Sequence, residues 1–243
     1  MEELKRFQAS EEAKGKAKQL RLFALISFLL AMAGEVFAIL KLIHDDTLVW
    51  LIVVIVVILA LALLGSYLWK KSNRLDPASE ADKTRFFIQN QLGAILSVLA
   101  FLPLVIFIFS NKEINSKTKG IAGGIVAVAL LVAGIYGVDF NPPSIEKYSK
   151  EINAQTDSLK TINNGTDYVY WTKEGNKYHI YKDCYHIKNR EVINDGTVKK
   201  AWEAKGISEL CLTCKSRVMK ENNIIDVIKD NIESSAKSIN KNN

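Results

Sequence analysis

At 243 residues the chain is long enough for one or two ordinary domains with a sizeable core, and its net charge of +6 fits contact with anionic lipid or nucleic acid without requiring either. Whole-chain averages blend two unlike parts, because apolar residues concentrate between Leu22 and Val138 while both ends are polar and Lys-rich. The three cysteines fall between Cys184 and Cys214, which excludes a complete disulfide framework and suits metal ligation in a reducing compartment.

The chain opens with MEELKRFQASEEAKGKAKQLR. Its acids and the lack of a small-residue cleavage site argue against a removable signal peptide, so residues 1–21 read as a cytosolic arm before a retained first span. Four segments then reach the ~20 mostly apolar residues needed to cross a bilayer: residues 22–43, 48–69, 86–110 and 120–138, together a transmembrane domain over 22–138. The second, LVWLIVVIVVILALALLGSYLW, has no charge, and Trp50, Tyr67 and Trp69 suit its two interfaces. Pro103 predicts a kink in the third span.

Lys and Arg gather in the N-terminal arm and in the loop between the second and third spans (Lys70, Lys71, Arg74, Lys83, Arg85), whereas the first hairpin has Lys41 beside Asp45 and Asp46. That asymmetry predicts cytoplasmic N- and C-termini in a multi-pass cell-membrane protein. Glu35 is a mid-span acid, which suggests either an ion path or a hydrogen bond to Ser97 or a neighbouring amide. Gln89, Asn90 and Gln91 face either a polar cavity or the headgroups. The fourth span carries small residues at four-residue steps (Gly120, Gly124; Gly123, Ala127; Ala129, Ala133, Gly137), which serve bundle packing or a seam between copies.

Asp139-Phe140-Asn141-Pro142-Pro143 ends the fourth span. In the juxtamembrane helical linker, residues 139–165, Ile145, Tyr148, Ile152, Leu159 and Ile162 recur at three- and four-residue steps with Gln155 in the one polar slot. This 145–162 helix either pairs with a second copy or packs on its own module. Beyond Asn163-Asn164-Gly165, residues 166–237 form the C-terminal domain. DYVYWT, the turn KEGN and KYHIY predict a β-hairpin, Val198–Lys205 a short helix ending at Gly206, and Ile224, Ile225, Ile228 and Ile232 one stripe of a terminal helix. Residues 238–243 read as a disordered tail.

The constellation with most chemical content is His179-x4-Cys184 followed, 26 residues on, by Cys211-x2-Cys214. A structural zinc site takes four soft or borderline ligands, commonly two from each of two chain segments. His186 competes with His179 for the fourth position; His179 is preferred because it lies on the expected second strand facing the turn. A module this small needs such a staple, since binding energy becomes folding energy.

The string VYWTKEGNKYHIYKDCYHI…AWEAKG…CLTCKSR, over residues 168–217 and roughly a fifth of the chain, resembles the Ada-like zinc-binding modules first described in a bacterial alkylation-repair protein. The resemblance implies a small α+β fold around Zn²⁺, a bacterial inner membrane and an affinity for nucleic acid. In that family four cysteines hold the metal, and one accepts a methyl group from a DNA phosphotriester. By position His179 stands where the accepting cysteine would be, while Cys184, Cys211 and Cys214 match the others. Four residues rather than three separate the first pair, and Gly206 lies one residue further from the CxxC.

An imidazole on zinc has no lone pair left to attack with, so methyl transfer is not expected. The chain also lacks GxSxG, GxGxxG and Walker-type loops, and no enzyme activity is anticipated. The expected whole is an α-helical integral membrane protein with four transmembrane helices and a small α+β zinc-binding domain. It would act in binding or sensing, its partners being the lipid bilayer, DNA or RNA, a cytosolic protein or a second copy of itself. The rival expectation is an oligomeric channel or membrane-disrupting effector gated by the zinc module.

Overall fold

The computed structural model describes residues 6–223. It divides into two compact units, one comprising Glu11–Ile145 and the other combining residues 6–10 with residues 146–223. The terminal isoleucine stripe and the tail expected beyond residue 223 lie outside the described residues.

The first unit is helical throughout: α1 (Glu11–Lys41), α2 (Leu48–Leu75) after a 3-10 turn, α3 (Lys83–Leu99), α4 (Leu102–Ser110) and α5 (Ser116–Gly137). Among the described residues four helical stretches are long and apolar enough to cross a membrane, α3 and α4 together making the third. They coincide with the four expected segments but run past them. In particular, α1 begins at Glu11, so half of what reads as an arm is helix.

Small residues govern the packing. Ala17, Ala24, Ala31 and Ala38 recur every seven residues along α1, and all are fully buried, a spacing that lets two helix backbones approach closely. On α5, a Cβ at Gly137 would lie 2.5 Å from the Ala94 Cα, and one at Gly123 would lie 2.5 Å from the Phe109 ring. Around Gly120 and Gly124 there is open space. The expected ladder therefore splits, one edge in the bundle and the other outward. Large apolar side chains cover the outside; Leu29, Leu40, Val49, Phe87, Leu131 and Ile135 are each more than half exposed, far beyond what a water-facing surface tolerates.

The third stretch breaks where Pro103 predicts it, between Leu99 and Leu102. A helix restarting inside a bundle has orphan N–H donors and a partial positive charge at its first turn. Glu35, 4% exposed, reaches from α1 to accept the Leu104 N–H at 3.1 Å. Ser97 bonds Ser66 instead, Oγ to Oγ at 3.3 Å. The acid thus holds a broken helix end.

Polar side chains tie the Lys- and Arg-rich end of the bundle. Trp69 Nε1 and Asn73 Nδ2 both donate to the Gln89 carbonyl, Gln89 Nε2 donates to the Asp76 carbonyl, and Lys70 Nζ donates to the Val138 carbonyl. Gln91 both donates to the Asp139 carbonyl and accepts the Asp139 N–H. One expectation changes and another is refined. Trp69, 8% exposed, turns inward because its indole N–H finds a carbonyl there; Gln89, Asn90 and Gln91 each bond backbone, and Gln89 also lines a cleft at this end of the bundle.

The second unit includes α6 (Ile145–Ile162) from Glu146 onward, so the expected linker 139–165 divides: residues 139–145 go with the helical unit and 146–165 with the C-terminal one. Ile152 and Leu159 on its apolar face are fully buried. Gln155, the polar slot, accepts from Trp202 Nε1 at 3.0 Å and from the Tyr178 hydroxyl at 3.3 Å. The strands β1 (Tyr168–Trp171), β2 (Lys177–Tyr178), β3 (Asn194–Thr197) and β4 (Glu209–Leu210) follow, with α7 (Val198–Lys205) before β4 and a last helix, α8, described over 212–223.

The expected hairpin survives only as one closely bonded pair, Tyr170 with His179. β1 runs antiparallel to β3, while β2 leaves it to pair in parallel with β4. The helix α7 has the expected bounds: Thr197 Oγ1 accepts the Lys200 N–H at its start, and Gly206 ends it in the left-handed region at φ 70°.

Residues 7–10 also pack in this unit. Phe7 is 3% exposed and meets Tyr148 edge-on at 5.2 Å between ring centres, and Tyr148 in turn lies 5.1 Å from Trp202. The Phe7 N–H donates to Ser149 Oγ, the Gln8 N–H to Glu203 Oε1 and the Ser10 N–H to the Glu203 carbonyl.

Candidate metal centre

Each ligand position follows from local backbone. His179 follows β2 and is fixed by its paired bonds to Tyr170. Cys184 opens a tight turn in which the Ile187 and Lys188 N–H groups return to its carbonyl. Cys211 directly follows β4, its N–H donating to the Tyr178 carbonyl at 2.9 Å, and Cys214 lies in the first turn of α8. The diversion of β2 from the hairpin to β4 is therefore what joins the two halves of the motif.

The ligand atoms of His179, Cys184, Cys211 and Cys214 lie within 4.8 Å of one another, and all four residues are buried. His179 Nδ1 stands 3.7 Å from Cys214 Sγ. A tetrahedron with metal–ligand bonds of ~2.0–2.3 Å has edges of roughly 3.5–3.8 Å, so the group can hold one metal ion. His186 is exposed, its ring 6.4 Å from that of His179, and it bonds Thr213 Oγ1 at 3.1 Å.

Electrostatics prepares the donors unequally. Burial, aided by His186, pulls His179 down to about 4, so its imidazole is neutral and free to coordinate near pH 7. Burial alone would raise the Cys211 thiol. The N–H groups of Cys214 and Thr213 at the start of α8 outweigh it and hold the thiol below its ordinary value. Burial, reinforced by Cys184, pushes Cys214 up. Cys211 thus parts with its proton more easily than an ordinary thiol and Cys214 less easily, so a metal ion must displace the proton from the latter.

No family model matches this chain, and neither a curated protein nor a solved structure does. The site stands on its geometry alone.

Around it, Arg217 bonds Asp183 Oδ1 and Oδ2 at 3.1 and 3.0 Å, bonds Glu221, and stacks 4.0 Å over the Tyr181 ring. Because Asp183 precedes Cys184 and Arg217 follows Cys214, this pair ties the two thiol-bearing segments. Lys177 and Lys199 are likewise paired, with Glu209 and Glu203. Lys182, Lys188, Arg190, Lys215 and Lys220 make no ion pair among the described residues, and all sit on the segments that carry the cysteines. Tyr185, 77% exposed, directly follows Cys184 and has Lys188 over its ring.

Sequence reasoning missed the double acceptor role of Gln155, the strand β3 and the docking of residues 7–10. A single aromatic residue in an otherwise polar N-terminus, Phe7, was the available signal for the last.

Proposed function

We propose that the chain is a multi-pass protein of the cytoplasmic membrane with four spans and both termini in the cytosol. Its C-terminal head, held by a structural zinc ion on His179, Cys184, Cys211 and Cys214, binds nucleic acid there. An imidazole and three thiolates form the borderline-to-soft donor set that zinc prefers, and a closed set of four leaves no position for substrate. The spanning reading draws support from the exposed apolar exterior of the bundle. Its orientation draws support from the Lys and Arg residues at one end. The likeness to Ada-like modules points the same way, and His179 in place of the acceptor cysteine argues for binding without methyl transfer.

The observation that carries the binding reading is the set of five cations without an ion pair among the described residues, on the segments that bear the cysteines and the exposed Tyr185. Cations neutralise phosphates and an exposed ring stacks on a base. The channel reading drew on Glu35, whose bond to the Leu104 N–H gives it a packing role.

Fluorescence anisotropy with the full chain in zwitterionic nanodiscs, using labelled duplex DNA, single-stranded DNA and RNA, tests this. Expected is binding that weakens on the order of a hundredfold from about 50 to about 200 mM salt and disappears on chelation. Metal-loaded protein that binds none of the three overturns it.

A further inference from the structure

A second site lies in the helical unit, at its Lys- and Arg-rich end. Arg21 of α1, Trp69 of α2 and Thr84, Arg85, Ile88 and Leu92 of α3 line a cleft of about 620 Å³, within the size range of small-ligand sites. Its lining is chemically mixed. Ile88, Leu92 and Trp69 supply apolar surface, while Arg21, Arg85 and Thr84, with Asp82 and Gln89, supply polar groups.

Arg21 is held in place by Asp76, donating to its carboxylate and to its carbonyl, both at 2.9 Å. That leaves the Arg21 Nε–H shielded from solvent with no acceptor, an arrangement that costs free energy. The Arg85 guanidinium makes no ion pair among the described residues; only its backbone N–H is engaged, by Asp82 Oδ1. Leu22, Phe23 and Phe87, all more than half exposed, follow directly on the helices. Outward apolar side chains that suit acyl chains therefore neighbour both arginines along α1 and α3.

We propose that this cleft binds an anionic glycerophospholipid, its phosphodiester at Arg21 and Arg85 and an acyl chain along Ile88 and Leu92. The inference rests on the membrane-spanning reading above. Cationic and apolar side chains lining one cleft match the two halves of one lipid. Asp82 on the rim and Asp76 behind Arg21 limit the negative charge the site accepts, which favours a singly charged phosphodiester over a dianionic phosphate monoester. The bound lipid would stitch α1 to the start of α3.

Native mass spectrometry of the full chain, released from nanodiscs of equal acyl-matched phosphatidylglycerol and phosphatidylcholine, tests the proposal. Wild-type protein should retain phosphatidylglycerol at least fivefold over phosphatidylcholine. Arg85→Gln should reduce that preference about fivefold at unchanged thermal stability, and Ile88→Trp, filling the cleft, should reduce adducts of both lipids. Equal retention by wild type, or an Arg85→Gln preference like that of wild type, overturns the site. Displacement of lipid by inorganic phosphate or by deacylated headgroup also overturns it, since the ligand would then be a soluble anion. Alkaline carbonate separates the underlying reading: a chain that carbonate releases from membranes does not span them, whereas one that stays but shows no lipid preference spans them without this site.

Discussion

The helical unit and the C-terminal head differ in what they leave outside. The bundle turns many large apolar side chains outward, and inside it sets small residues such as Ala24, Ala31, Gly137 and Ser66 beside Phe28, Leu51, Ile58 and Phe101. The head places Val169, Trp171, Val198, Trp202 and Ile207 inside, yet has only two two-stranded sheets among its described residues. The difference teaches which interaction each unit depends on. In lipid, helices gain by close backbone approach and by satisfying every polar group. In water a core this small is marginal and needs a staple. A perturbation of one unit's interaction should therefore leave the other unit standing.

Metal removal should break that symmetry most strongly, because structural four-ligand sites contribute on the order of 10 kcal/mol of apparent binding energy. Chelation, or Cys211→Ser, should abolish the near-UV signature of Trp171 and Trp202 and release bound metal while helical far-UV signal from the bundle persists. Near-UV signal that survives exhaustive chelation would refute the metal as a staple. Acid should act in the same direction. In the folded arrangement burial keeps His179 from taking a proton until about 4, against 6.5 for the ordinary group. The unfolded chain thus binds more protons between those values, so this contribution to stability is fully present above about 6.5 and falls as pH drops toward 4. Protonation of the thiolates should add to the loss, and an acid titration of the loaded head, following bound metal and near-UV signal together, would read it.

The bundle offers the next effects. A Cβ at Gly137 would press on the Ala94 backbone at 2.5 Å, and backbone cannot give as a side chain can. Gly137→Ala should cost ~1–3 kcal/mol in thermal unfolding in detergent, whereas Gly124→Ala, facing open space, should cost nothing. Glu35→Ala strands the Leu104 N–H and should cost ~1–3 kcal/mol; Glu35→Gln keeps an acceptor there and should lose little. If the glutamine variant is as unstable as the alanine one, the carboxylate does more than hold a helix end.

Legibility followed the same division. Spans are readable because a run such as 48–69 has no stable alternative to crossing lipid, and Pro103 marks its break by its missing N–H. The ligand set was readable because CxxC and His-x4-Cys are local patterns. Long-range pairing was not: nothing in Lys177-Tyr178 says that it leaves β1 for β4, because the partner strand lies some thirty residues on and the pairing is set by the packing of the whole unit. The polar partners were equally hidden. Glu35 could be recognised as costly, but Leu104 as its donor depends on where a neighbouring helix restarts. Gln155 looked like an interruption of an apolar stripe, and two aromatic donors meet there only once α7 and β2 are folded.

The smallest expected effect concerns the strap formed by residues 7–10, the part of the head drawn from the other end of the chain. Phe7 is nearly fully buried and edge-on to Tyr148, and such a ring pair adds ~0.5–1.5 kcal/mol beyond burial. The strap contributes no metal ligand, however, and the stack of Tyr148 on Trp202 remains without it. Its loss can therefore cost no more than its own docking. Phe7→Ala should leave metal content and the near-UV signal unchanged while trypsin cleavage after Arg6 speeds several-fold. Cleavage at the wild-type rate would mean that the strap is not held in solution. Loss of metal would mean that the strap belongs to the core, and the head would then be a fold that needs both ends of the chain before zinc can close it.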